Sequence, residues 1–378
     1  MKRIYLDHAA TTPLCKEAFV AMEPYFAESF GNADSVHSFG REGERGLLSA
    51  RDAIAAVIGA APEEICFTSG GTEADNFALK GAAAASDKRH IIVSATEHPA
   101  VRAAAEQLGQ FGFDVTVLEV DNEGFVSPDA LRAAMRKDTL LVSIMWANNV
   151  FGTLNDIPAL AAVAHEGGAL FHTDAVQAGG SLDVTTACGA DMISFSAHKM
   201  YGPKGVGALY IRRGTRLSPL VAGGEQERGL RGGTSNVVGA VGFAAAFGKA
   251  AECRSADAAK IRALRDLFFG KVRDTHGVSL VGTSDFDRRH YGNLCLRVVG
   301  VPAEKMLIAL DLAGVAVSAG SACSARQSEP DRALMALGMT AAEAGECVRI
   351  SLGRGNTEDD VAAAAEAFKS AAERLGGR

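Results

Sequence analysis

This 378-residue sequence lacks several features, and each absence narrows what it can do. No apolar run approaches the roughly 20 residues that a membrane-spanning helix needs. Met1-Lys2-Arg3 carries charge, but Asp7 arrives before an apolar signal segment can form, so the expected location is the cytoplasm. The seven cysteines, at 15, 66, 188, 253, 295, 323 and 347, include no Cys-x-x-Cys pair. That argues against a disulfide framework and a structural zinc site. Basic charge is not in excess, with 38 Lys and Arg against 45 Asp and Glu mixed along the chain. A nucleic-acid or anionic-membrane partner is therefore not expected, and a small substrate is. There is no repeat and no low-complexity tract beyond alanine enrichment.

What is present is an alternation. Short apolar runs at 65–67, 91–93, 115–117, 140–145 and 169–171 read as strands, separated by Ala-rich helical stretches at 72–85, 100–111, 128–136 and 157–166. Such alternation predicts βαβ units and a mostly parallel sheet covered on both faces, with ligands at the carboxyl ends of its strands. Upstream, residues 17–26 and 47–58 read as helical. Two helices are expected at 234–252 and 258–275. A smaller α+β layer follows, with strands at 293–298, 315–318 and 347–351 and helices at 302–313, 331–337 and 357–375. A boundary is expected near residue 255.

Lys199 stands in a polar turn, Ser196-Ala197-His198-Lys199, between apolar strands. Lysines in turns are usually solvated, but one held between buried strands loses its hydration, which favours the neutral amine that forms Schiff bases. Asp174 follows the apolar run 169–171, at the end of an expected strand. A lysine for the aldehyde and an acid for the ring nitrogen are what a pyridoxal phosphate site requires. Ser69-Gly70-Gly71-Thr72 joins a strand to a helix, where glycines let backbone amides approach an anion; an ordinary capped helix start reads the same way. It has neither the Lys-Ser/Thr ending of a Walker loop nor the dinucleotide spacing. His98, just past a strand, is a packed residue or a catalyst. Asn149 and Gln177 alone read as structural amides. Cys323 lies among small residues after a strand, which suggests an accessible loop thiol able to attack sulfur. Arg349, a charge within a strand, needs a partner: a substrate carboxylate bound bidentately, or a structural ion pair.

The blocks Tyr5–Thr12, Phe67–Asn76, Thr96–Val101, Asp174–Gln177, Ser196–Lys199, Gly229–Thr234, Gly320–Cys323 and Val348–Gly353 together resemble the cysteine desulfurases, a branch of the class-V, fold-type I pyridoxal phosphate enzymes. The resemblance implies an α/β fold: a large, mostly parallel seven-stranded sheet domain with helices on both faces (16–254) and a smaller α+β domain (1–15 and 255–378). It implies that Gly71, Thr72, Ser196 and His198 hold the cofactor phosphate, with Thr234 reaching in from a partner subunit. His98 would stack on the ring and aid proton transfer, Asp174 would pair with its nitrogen, and Gln177 and Asn149 would bond its phenolic oxygen or the substrate. Lys199 would carry the cofactor and move the Cα proton, and Cys323 would take sulfur from L-cysteine as a persulfide. Expected partners are a second copy, forming a homodimer, and a sulfur acceptor or iron–sulfur scaffold protein; tRNA thiolation is another destination. The spacing from Cys323 to Gly338 resembles the group with a long catalytic loop.

Three positions depart from the family pattern. Val150 stands where glutamate is usual, which suggests a missing polar contact near the cofactor. Glu225 replaces a third glycine, and His8 a frequent asparagine. A class-V aminotransferase would share Lys199 and Asp174 without needing Cys323. A vestigial scaffold would bind the cofactor without turnover.

Overall fold

The structure is a computed structural model and describes residues 2–320 and 331–377. Strand β1 (Ile4–Tyr5) is followed by helices α1 (Lys16–Met22), α2 (Pro24–Ala27) and α3 (Ser38–Ile58). The chain then alternates as read: β2 (Ile65–Thr68), α4 (Gly71–Ala84), β3 (His90–Ser94), α5 (Pro99–Gln110), β4 (Asp114–Leu118), α6 (Pro128–Ala134), β5 (Thr139–Ser143), α7 (Ile157–Glu166) and β6 (Leu170–Asp174). Strands β7 (Met192–Ser196) and β8 (Gly207–Ile211) complete one sheet in the order β2-β8-β7-β6-β5-β3-β4. Only β8 runs against its neighbours. Every residue of β3, β5, β7 and β8 is buried, as a sheet covered on both faces demands. Edge strand β4 is instead exposed or part-buried at every position but Leu118.

The helices begin where short polar side chains can cap them. Ser127, Asp156 and Asn236 each accept a hydrogen bond from a backbone N–H in the first turn, satisfying a donor that the helix itself leaves over. Helix α3 starts at residue 38, nine residues before the reading from composition. Its buried face is Gly40, Gly43, Gly46, Ala50, Ile54 and Ile58, spaced as a helix requires but too poor in large apolar residues to announce itself.

The larger difference concerns α8 (Val237–Val272), which is one helix of 36 residues and not two. Residue 255, expected as a boundary, lies within it. Residues 253–257 contain no proline or glycine, so nothing interrupts the hydrogen-bond ladder. Ion pairs of Arg254 with Asp183 and of Asp257 with Arg354 hold this middle stretch to other parts of the chain.

After α8 come β9 (Val278–Leu280), β10 (Asn293–Val298), α9 (Ala303–Leu312), β11 (Val315–Ala316), α10 (Arg332–Ala336), α11 (Ala341–Ala344), β12 (Cys347–Ser351) and α12 (Glu358–Leu375). The antiparallel sheet β12-β10-β9 includes β9, which the sequence reading missed; at three half-exposed residues it has too little pattern to find. β1 pairs in parallel with β11, so the N-terminal residues pack with the C-terminal part. One apolar cluster joins Ile4 and Leu6 to residues 261–372. Others, built from residues 50–247, lie on the central sheet.

From β1 the chain crosses to the turn after β7. Thr12 N–H donates to the His198 carbonyl (2.9 Å) and Cys15 N–H to that of Tyr201 (2.9 Å). This strap lays the carbonyls of Ala9 and Ala10 over Lys199.

Candidate active site at the carboxyl ends of the central strands

Strands β2, β3, β5, β6 and β7 run in one direction, and the segments leaving their carboxyl ends enclose a cavity of about 220 Å³. Its walls include Ala9, Ala10, Gly71, Thr72, Asp75, His98, Asn149, Asp174, Gln177, Ser196, His198, Lys199 and Arg349. Residues separated by more than three hundred positions are thus brought together, because an open α/β sheet gathers its loops on that edge.

One side of the cavity is the amino end of α4. Gly71 is the first helical residue, and a β-carbon there would come within 2.6 Å of Val176 Cγ2, so the backbone lies directly on the cavity wall. Thr72, Ser196 and His198 line the same side. His198 Nδ1 meets Thr11 Oγ1 at 3.1 Å, and its pKa is pushed down to about 4, first by burial and then by Lys199 and Lys204. It is therefore a neutral hydrogen-bonding group at neutral pH. A helix amino terminus with hydroxyl and imidazole partners is a seat for an anion such as a phosphate.

The floor is acidic. Asp174, at the end of β6, accepts from Val176 N–H through Oδ1 (2.8 Å), and burial raises its pKa against the opposing pull of His98 and Lys199. His98 caps α5 by accepting from Ala100 N–H at 3.1 Å, which leaves its other ring nitrogen to carry the proton; burial lowers its pKa. Lys199 Nζ donates to the carbonyls of Ala9 (2.5 Å) and Ala10 (2.8 Å). The amine is thus held on two backbone carbonyls. Gln177 Nε2 donates to the same Ala9 carbonyl (2.9 Å).

Arg349 reaches in from β12. Its Nη2 pairs with Asp7 Oδ1 (2.7 Å), Nη1 donates to the Asn149 carbonyl (2.9 Å), and Nε is buried without a hydrogen-bond partner. The structural ion pair foreseen as a competitor is present. The unpaired Nε and the cavity lining leave a face of the guanidinium for an anionic ligand.

A sequence model of the class-V aminotransferase family ("Aminotransferase class-V") matches residues 4–363. The chain belongs to that family. It is 46% identical to a Dictyoglomus turgidum protein named cysteine desulfurase IscS, over 99% of this chain and 96% of the relative. Among solved structures, one titled "NIFS-LIKE PROTEIN" superposes with a TM-score of 0.91 at 34% identity, covering 97% of this chain and 98% of the other. Another, "SspA in complex with cysteine", gives 0.81 at 35%, covering 93% and 99%.

Class-V enzymes use pyridoxal phosphate, and the residues present fit it. Gly71 at the amino end of α4 has no side chain, and a β-carbon there would meet Val176 Cγ2 at 2.6 Å; Asp174 supplies an acid and Lys199 an amine on the same cavity wall. Within the class-V fold one expectation turns out differently. Val150 is 1% exposed and packs with Phe151, Leu334 and Leu337, facing an apolar cluster and not the cofactor cavity. No polar contact is lost there. Thr234 is exposed and does not line its own chain's cavity. Cys323 lies outside the described residues. The stems of its loop are described: Ser318 and Arg349 exchange backbone hydrogen bonds at 3.2 and 2.7 Å, and a β-carbon on Gly320 would meet Asp331 Oδ2 at 2.8 Å. The loop therefore leaves and rejoins the fold beside Arg349.

The site also contains residues that sequence reasoning passed over. Asp75 was legible in principle, since it lies four residues after Gly71 and so shares its helix face. Glu97 adjoins His98 and is buried, with Oε1 accepting from Met145 N–H (2.7 Å). Asp7 and the carbonyls of Ala9 and Ala10 had no signal of their own, because their partners are distant in sequence.

Proposed function

We propose that this protein is a pyridoxal phosphate-dependent cysteine desulfurase that converts L-cysteine to L-alanine and leaves the sulfur as a persulfide on Cys323. The observation that carries this reading is the convergence of Lys199, Asp174, His98 and Arg349 on one cavity, with the stems of the Cys323 loop beside Arg349. Gly71, Thr72, Ser196 and His198 would hold the phosphate, Asp174 the ring nitrogen, and Gln177 the phenolic oxygen. When bound there, pyridoxal phosphate supplies an aldehyde for the substrate amine and a cationic ring that absorbs an electron pair.

The chain's own residues do the rest. Arg349 binds the substrate carboxylate, helped by Asn149, and so orients the Cα–H bond toward the lysine. Lys199, released from the carbonyls of Ala9 and Ala10, takes the Cα proton and later returns protons to carbon. His98, which lines the same cavity and is kept neutral by burial, would assist proton movement. The Cys323 thiolate attacks the substrate sulfur; the Cβ–S bond breaks, the new S–S bond forms, and protonation at Cβ completes alanine. One L-cysteine and one thiol thus become one alanine and one persulfide, with no outside oxidant. The persulfide passes to an acceptor or scaffold protein in iron–sulfur assembly or tRNA thiolation.

A homodimer in the cytoplasm completes the reading. Phe19, Val20, Phe26, Phe30, Val36 and Phe39, each more than half exposed, support burial against a second copy, and exposed Thr234 supports its reaching the neighbour's phosphate. No described helix is long and apolar enough to cross a membrane. The division into 16–254 and 1–15 with 255–378 is part of the proposal, supported by the separate apolar clusters although α8 spans it.

The test is a single turnover of the pyridoxal phosphate-loaded protein with L-cysteine, measuring alanine and mapping added sulfur by mass spectrometry. The expected result is one sulfur on Cys323 per alanine, and none of either in Lys199→Ala. Amino transfer to a keto acid that survives Cys323→Ala would overturn it in favour of an aminotransferase.

A further inference from the structure

The acidic floor of the cavity holds more carboxyl groups than the proposed reaction uses. Asp75 and Asp174, which line it, and Glu97, which lies outside the lining, are 1%, 4% and 3% exposed, and no arginine forms an ion pair with any of them among the described residues. Asp75 Oδ1 has no hydrogen-bond partner, and one carboxylate oxygen of Asp75 lies within 4.8 Å of an Asp174 oxygen and a His98 nitrogen. Two carboxylates so close in a dry site repel strongly, and one neutralises by keeping a proton.

The neighbours of Asp75 indicate which carboxyl keeps it. His172, wholly buried 3.7 Å away, could cancel a charge on Asp75 only as a cation. Burial pushes its pKa down to about 3, so it is neutral. Ser143 Oγ meets its Nδ1 at 2.8 Å and Ser194 Oγ meets its Nε2 at 2.9 Å. The two serine hydroxyls engage both ring nitrogens of the neutral imidazole. No hydrogen bond on that side supports a negative charge on Asp75 Oδ1. Asp174, by contrast, has backbone support for a negative charge from Val176 N–H.

We propose that Asp75 is a positioning residue held as a neutral carboxylic acid beside Asp174, so that the pair presents one negative charge to the ring nitrogen. The inference rests on the reading of Asp174 as the seat of that nitrogen. A single charge matches a single ring proton. Two would hold a second proton in the floor and weaken the defined pairing on which the electron sink depends. The titratable groups facing Asp75 are Asp174 and His172 on β6, and Glu97 and His98 at the start of α5, with Lys199 across the cavity.

The experiment is infrared spectroscopy of the full-length protein, with and without pyridoxal phosphate, grown with ordinary or 13C-labelled aspartate. At neutral pH the cofactor-free wild type is expected to show one protonated-carboxyl band that shifts on labelling and is absent from Asp75→Asn. Aspartate bands of only the ionised form would overturn the proposal, and the labelled wild type gives that answer even if the variant does not fold. Equilibrium binding of pyridoxal phosphate adds a second readout. Asp75→Ala should weaken binding roughly tenfold, equivalent to one pKa unit at Asp174. Asp75→Asn, neutral and of nearly the same shape, should restore it; an Asn variant as weak as Ala would refute the role of a neutral side chain there. Wild type that failed to bind the cofactor would sink the reading of Asp174, while the cofactor-free spectrum would still decide the protonation.

Discussion

Replacing Glu227 with alanine should cost this fold a large part of its stability. The Glu227 carboxylate receives Arg51 Nη1 and Nη2, each at 2.7 Å, and the Phe67 N–H at 2.9 Å. The two side chains are 8% and 4% exposed, so the pair is shielded from water. Glu227 and Arg228 sit at φ 48° and 60°, left-handed values that cost non-glycine residues about 1–3 kcal/mol each. The ion pair holds that bend in the segment leading to Thr234. Alanine would leave the Arg51 charge buried alone, at about 3–5 kcal/mol. It would also strand the Phe67 N–H, at about 1–3 kcal/mol. The expected loss, about 4–8 kcal/mol, is comparable to the roughly 5–15 kcal/mol of a whole domain. Denaturant unfolding at fixed protein concentration measures it. Arg51→Met combined with Glu227→Leu should lose less than Glu227→Ala alone, because no charge is left unpaired and Arg228 still donates to the Ile65 carbonyl (2.9 Å). A double variant as damaged as the sum of its single changes would refute the pairing argument.

Three further outcomes are expected. His290 is part-buried against Ser181 (2.8 Å), and desolvation pushes its pKa from 6.5 to about 4. The unfolded chain binds a proton that the fold refuses, so stability is unaffected above about pH 6.5 and falls by about 3 kcal/mol toward pH 4; in His290→Gln this part of the pH dependence should vanish from melting curves. Gly71→Ala puts a β-carbon 2.6 Å from Val176 Cγ2 and should weaken pyridoxal phosphate binding by roughly tenfold or more, read by equilibrium titration. Arg349→Lys replaces a planar fork with a point charge and should raise KM for L-cysteine about 10- to 100-fold; an unchanged KM would remove Arg349 from carboxylate binding.

Much of this was legible in the chain itself. Strands β2 to β6 emerge as read because each is a short apolar run between amphipathic or Ala-rich helices, and burial on both faces leaves little ambiguity about such runs. Lys199 and Asp174 were found because each follows a buried strand directly, so local sequence reports their position in the sheet. The single helix α8 was misread as two because a short polar stretch looks like a linker when the residues that bind it, Asp183 and Arg354, are out of view. Val150 was placed near the cofactor because its neighbour Asn149 is there; adjacent residues in a turn face different ways, and only the packing against Leu334 and Leu337 decides which.

The amino-acid sequence by itself determined the alternating α/β architecture, the lysine and acid of the site, and the family to which the chain belongs. These are properties of local pattern, written within a few residues of where they act. The tertiary structure decided which charges meet, share a partner or line one cavity. Asp7 holds Arg349 across 342 positions, the Ala9 and Ala10 carbonyls hold Lys199 across about 190, and Asp75 lies against Asp174 across 99. Electrostatic energy depends on distance through space and on the exclusion of water, and neither is recorded in the spacing of residues along a chain.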